Sequence, residues 1–276
     1  MVGIKPQLLD PQNTDPALAR TCARLVLDAY AMFDQWDQKR PDEKSFDWVK
    51  PERPAADIAY GTLIWATYRY AERLSPRHPH ARRRVRWIDR PCPIGFLATA
   101  QDRVFVVFRG TQTNHEWVNI NLRFLQKECE EDRFSTGKAH AGFLKYFKTA
   151  RKSVERGLRA MDTTDKQLVF TGHSLGGAMS TLAALVYAEK ENVGSSWCHY
   201  NFGAPRVFDP ALAAHYESLD IPTFRIVNIE DVVTSVPLPV AGSLLYQHVG
   251  IPVCFSVNLG DIAKNHDMNL YLAACS

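Results

Sequence analysis

The chain has 276 residues, 46% of them hydrophobic and 23% charged, with a formal net charge of +3. That length can bury a substantial core, and so small a positive charge gives no argument for nucleic acid. No apolar run of about eighteen residues or more is present, so a membrane-spanning helix is not expected.

Met1 to Asp15 is polar and carries proline without an apolar stretch. This predicts a soluble protein, cytoplasmic or mature secreted, with no secretory signal or one already removed. Six cysteines (Cys22, Cys92, Cys129, Cys198, Cys254, Cys275) contain no C-x-x-C pair. A zinc site is not indicated, and free core thiols or a few disulfides both stay open.

Thr14-Asp15-Pro16 reads as a helix start, with a capping side chain and a proline in the first turn. Leu18, Cys22, Leu25, Val26, Ala29 and Phe33 follow at helical spacing. Gln35 to Pro54 is charged, aromatic and proline-broken, and is expected to be a long loop. A second helix is expected from about Ala55 to Leu74, burying Ile58, Trp65 and Tyr68, so that residues 14–74 would hold two N-terminal helices. Ser75 to Arg86 is a basic loop, read as a solvated insertion rather than a patch for anionic lipid.

From Ile94 the pattern turns to short strands. Ile94 to Thr99 and Val104 to Phe108 flank a hairpin turn at Ala100-Gln101-Asp102-Arg103. Phe143, Phe147, Ala150, Val154 and Leu158 mark a helix. Leu168 to Thr171 is a strand, Leu175 to Lys190 a helix, His199 to Phe202 a strand, Ala211 to Leu219 a helix and Thr223 to Ile229 a strand. This alternation predicts one α/β domain over residues 1–276, with a mostly parallel central sheet and helices on both faces.

Gly172-His173-Ser174-Leu175-Gly176-Gly177 is a G-x-S-x-G motif between a strand and a helix. A serine on that sharp turn projects its hydroxyl above the sheet, and the helix N-terminus behind it favours negative charge. A serine needs a base, usually a histidine oriented by a carboxylate. On such a turn the partners follow in the order acid, then histidine. The acid belongs just after a later strand, which selects Asp231, with its neighbour Glu230 second. Downstream of Asp231 only His248 and His266 remain. His248 lies in the apolar run Leu244 to Val257, where a structural histidine is the default. His266, in a polar loop before Leu270-Tyr271-Leu272, is preferred. The oxyanion donors are expected at the N–H of Leu175 and at Thr111, on the loop after Val104 to Phe108.

Several blocks together resemble the class 3 lipase family, the fungal-type triacylglycerol lipases and their relatives. They are Phe108-Arg109-Gly110-Thr111, His140-Ala141-Gly142-Phe143, Gly172 to Gly177, Asn201 to Val207, Asp231-Val232-Val233 with Pro237, and His248-Val249-Gly250. The resemblance covers Ile94 to the C-terminus. It implies the α/β-hydrolase fold, a triad of Ser174, Asp231 and His266, an oxyanion hole of Thr111 and Leu175, and a structural His248. Thr234-Ser235 departs from the family, where a proline commonly follows the acid.

The resemblance also implies a lid at about residues 112–137. There Trp117, Ile120 and Phe124 share one helical face, which fits either a helix packed on the core or a cover that opens to lipid. The reaction implied is hydrolysis of acyl-glycerol esters at a lipid interface, without metal or organic cofactor. Alternatives on the same machinery are a phospholipase A1, a galactolipase or a feruloyl-type esterase. An inactive lipid-binding or regulatory homologue is the alternative of another class. The order of the triad and the α/β pattern exclude a trypsin-like protease.

Overall fold

The computed structural model describes residues 14–52, 58–73, 85–100, 102–111, 126–128, 137–190 and 196–276. The first helix, α1 (Pro16–Lys39), starts as expected: the Asp15 side chain accepts from the N–H groups of Ala17 and Leu18, and Pro16 opens the first turn. It runs past Gln35 into the segment expected to be a loop. Trp36 extends its buried face, with the indole N–H donating to Pro41 O at 2.9 Å.

Among the described residues the second N-terminal helix is not formed. Its place is taken by a strand, β1 (Ala59–Arg73), antiparallel to β2 (Val85–Ala100). Tyr, Trp, Thr and Ile dominate the run from Tyr60 to Tyr70, and such side chains favour a pleated surface. Slips of register hid the strand's alternation. The ladder slips between Tyr60 and Leu63 and between Ile64 and Trp65, so Ile64, Trp65 and Ala66 are buried in succession. Opposite Trp65 and Thr67 stand Pro93 and Pro91. The Trp65 and Thr67 N–H groups instead donate to Ser153 Oγ at 3.0 Å and Thr149 Oγ1 at 3.2 Å. Strand β2 also begins at Val85, inside the stretch read as a basic loop, whose residues 75–84 lie outside the described residues.

β2 pairs antiparallel with β3 (Arg103–Phe108), and Ala100 faces Arg103 across the expected hairpin. Next come β4 (Gln126–Glu128) and β5 (Lys138–His140), antiparallel to each other. α2 (Ala141–Arg159), β6 (Gln167–His173), α3 (Leu175–Ala188), β7 (Ser196–Phe202), α4 (Pro210–Glu217) and β8 (Thr223–Asn228) follow. A 3-10 turn spans Val232–Ser235. It leads to β9 (Val240–Ala241), β10 (Leu244–Leu245), β11 (Ile251–Phe255), α5 (Ile262–Asn265) and α6 (Met268–Ala274).

Among the described residues seven strands make the main sheet, in the order β1-β2-β3-β6-β7-β8-β11. From β3 to β11 all neighbours are parallel. Val104, Val106 and Phe108 pack on one face with α2, α3 and α4. Phe105 and Val107 pack on the other face with α1 and α6. That period of two along a strand buried on both sides is why these runs are continuously apolar. Cys22, Cys92, Cys198, Cys254 and Cys275 carry free thiols. No helix among the described residues is long and apolar enough to cross a membrane.

Candidate active site

Ser174 stands between β6 and α3 with φ 57° and ψ −125°, a backbone conformation that costs energy in any residue with a Cβ. Its surroundings enforce it. The Ser174 N–H donates to Phe202 O at 2.9 Å, and Ser174 O accepts from Gly177 N at 2.9 Å. Gly176 lets α3 approach the end of β3, since a Cβ there would lie 2.4 Å from Arg109 O and 2.5 Å from Phe108 O. Ser174 is 1% exposed and its Oγ makes no hydrogen bond among the described residues. The Leu175 N–H opens α3 and has no acceptor within the helix.

Asp231 and His266 are brought together. Asp231 follows β8 and is 2% exposed. Its Oδ1 accepts from the Val233 N–H at 2.9 Å. Oδ2 accepts from His266 Nδ1 and from the Tyr271 hydroxyl, each at 2.5 Å. A carboxylate that accepts a proton from Nδ1 fixes the tautomer in which Nε2 is the basic nitrogen. His266 sits between α5 and α6, and Asn265 O accepts from the Asn228 side chain at 2.9 Å, tying that corner to the end of β8. Gly203, with φ +55°, faces the pair. A Cβ there would stand 2.9 Å from Asp231 Oδ2 and 3.1 Å from His266 Cε1.

The rejected candidates are engaged elsewhere. The Glu230 side chain accepts from Asn258 on the surface. His248 Nε2 donates to Thr234 O at 2.8 Å, and burial with the nearby Arg225 pushes its pKa down to about 3. Thr234, the departure from the family's proline, donates through Oγ1 to Asp231 O at 2.8 Å.

Three side chains were missed in the sequence. Tyr271 was read only as part of an apolar run, yet its hydroxyl reaches the carboxylate. His173 is fully buried with its ring centroid 4.4 Å from that of His266. Its Nδ1 lies 2.7 Å from the Tyr30 hydroxyl. Burial, and then the charge of His266, hold its pKa well below the usual histidine value, so it stays neutral beside His266. Tyr30 comes from α1, far away in sequence, and no local pattern could have announced it.

Thr111 is half-buried beside these groups. A cleft of about 910 Å³ is lined by Thr111, Tyr30, His173 and His266, with Leu27, Val232, Val233, Val236, Ile262 and Met268 as apolar wall. Trp117, Ile120 and Phe124, on the expected lid, lie outside the described residues. Within the expected lid range Gln126–Glu128 is strand rather than helix, because it pairs with Lys138–His140.

An α/β sheet that carries a serine on a strand-to-helix turn and a buried Asp–His pair after a later strand has the layout of the α/β-hydrolase class. The profile of the family described as lipase (class 3) matches residues 105–241, and the chain belongs to that family. It is 28% identical over 238 residues to phospholipase A1 EG1 of Oryza sativa subsp. indica, covering 71% of this chain and 53% of that one. It is 32% identical over 181 residues to a lipase of Rhizomucor miehei, covering 64% and 48%. The chain thus spans about half the length of these relatives. The fold superposes on the Rhizomucor miehei triacylglyceride lipase with a TM-score of 0.64 at 20% identity, over 98% of this chain and all of that one.

Proposed function

We propose that the protein is a serine hydrolase of lipid esters, acting on acyl-glycerol substrates. The observation that carries this reading is the buried pair His266 Nδ1–Asp231 Oδ2, together with the strained Ser174, whose neighbour His173 has its ring centroid 4.4 Å from that of His266. Ser174 Oγ attacks the ester carbonyl while His266 Nε2 takes its proton. The Leu175 N–H and Thr111 hold the oxyanion. His266 then protonates the leaving alcohol. A water activated by the same nitrogen attacks the acyl-enzyme, releasing the fatty acid and restoring Ser174. Asp231 orients the ring throughout, and Tyr271 holds Asp231.

The apolar wall of the cleft suits an acyl chain. Val232 and Ile262, which line it, are 50% and 63% exposed, as a mouth that meets aggregated lipid would be. A second reading keeps the chemistry and places a phosphate on the glycerol, as a phospholipase A1 does. The likeness to the rice phospholipase A1 over 238 residues favours it. A hydrolysis panel of triacylglycerol, diacylglycerol, phosphatidylcholine, galactolipid and short soluble esters decides. The proposal expects acyl-glycerols to be cleaved best. Equal or faster release from phosphatidylcholine selects the second reading, and no release from any ester refutes both.

A further inference from the structure

Arg109 is 3% exposed and lies one residue beyond β3. Burying a guanidinium is costly unless its donors are engaged. Here Nη1 donates to Gly110 O at 2.6 Å and Nε to Pro93 O at 3.3 Å. The flat face of the group lies over the Phe33 ring, with Cζ 3.6 Å from the centroid. The Arg109 N–H is fixed as well, donating to Ile94 O at 2.8 Å. The side chain is therefore held by β2, by α1 and by the carbonyl of the next residue.

The Gly110 carbonyl is the informative contact. It belongs to the same peptide unit as the Thr111 N–H, and in a trans peptide the C=O and N–H point in opposite directions. Holding the carbonyl on one side fixes where the N–H points on the other. Gly110 itself lies against Ser174. A Cβ on Gly110 would stand 2.9 Å from Ser174 Cβ and 2.7 Å from His173 O. The guanidinium further draws electrons from the carbonyl, which makes the N–H of that peptide a stronger donor.

We propose that Arg109 is a positioning residue of the oxyanion hole: by gripping the Gly110 carbonyl it sets and polarises the peptide that presents the Thr111 N–H to the reacting carbonyl. The proposal rests on the serine-hydrolase reading. A lysine in its place keeps a charge but not the planar fork that reaches two carbonyls while stacking on Phe33.

The test uses the full chain as wild type, Arg109→Lys and Arg109→Gln. Working sites are counted by end-point titration with a fluorophosphonate, so misfolded protein drops out of every rate. A short soluble ester gives kcat and KM. A boronic acid, whose adduct with a serine hydroxyl puts a negatively charged oxygen in the hole, gives an oxyanion-specific affinity. Losing one oxyanion donor outright costs about 100- to 1,000-fold in kcat, and a misaimed donor costs part of that. We expect kcat per titrated site to fall about 10- to 100-fold, boronic acid affinity to fall in parallel, and KM to stay within about twofold. A merely structural role would lower the titratable fraction while leaving per-site kcat and boronic acid affinity unchanged. That result in either variant overturns the proposal. A wild type that neither cleaves esters nor reacts with the fluorophosphonate refutes the hydrolase reading itself, and this proposal with it. An active wild type with insensitive variants refutes only the role of Arg109.

Discussion

Three donors converge on the Asp231 carboxylate, and removing either side-chain donor has its own consequence. Tyr271→Phe deletes a 2.5 Å hydrogen bond to a buried charged group, which costs about 2 kcal/mol of stability. It should also loosen the orientation of His266. Denaturant unfolding and steady-state kinetics check both, and we expect kcat down about tenfold with KM little changed. His266→Ala should abolish turnover, whereas His248→Ala should leave a working site in the protein that folds, because His248 spends its Nε2–H on the Thr234 carbonyl. Equal losses in the two variants, per folded molecule, would mean that the base is His248. The two were separable in sequence because their contexts differ: one in a strand-like run, the other in a polar loop. His173 was not legible in the same way. Its importance comes from a ring 4.4 Å away that arrives from the C-terminal segment.

At the scale of elements, the strand-to-helix turn and the buried histidines make separate predictions. Gly176→Ala drives a methyl into the Phe108 and Arg109 carbonyls, and backbone cannot yield as a side chain tip does. A loss of about 1–3 kcal/mol is expected, with a larger fall in kcat because the same shift displaces the turn that holds Ser174. A G176A protein with unchanged stability and turnover would argue against that packing.

His199 on β7 bridges Ser180 Oγ of α3 and the Tyr216 hydroxyl of α4 at 2.9 and 3.0 Å, and burial lowers its pKa to about 3. His140 and His248 are held down to about 4 and about 3, chiefly by burial. These rings are neutral in the folded state and take up protons on unfolding below about pH 6.5. Their stabilisation is therefore complete above that pH and is lost as pH falls towards their folded values. Each contributes up to about 1.4 kcal/mol per pH unit in that window. Thermal unfolding between pH 7 and pH 4 should show a steady fall in Tm, and His199→Gln should flatten it.

For the molecule as a whole, the central parallel strands were legible because each is buried on both faces and bounded by turn residues. Val104 to Phe108 and Leu168 to Thr171 are of this kind. The N-terminal strand β1 was not, because two slips of register broke its period of two. The cleft was invisible for another reason. Its walls come from α1, from the 3-10 turn after Asp231 and from the segment around His266, which only folding brings side by side. That convergence sets His173, His266 and Thr111 against an apolar wall, and Ser174 is the proposed nucleophile.

The most direct measurement is covalent labelling with a fluorophosphonate, read by intact mass and peptide mapping. One adduct per chain is predicted, on Ser174, lost in Ser174→Ala and His266→Ala and kept in His248→Ala. In parallel, Ser174→Ala should lose about six orders of magnitude in ester hydrolysis. Labelling at another residue, or undiminished hydrolysis by Ser174→Ala, would contradict the account.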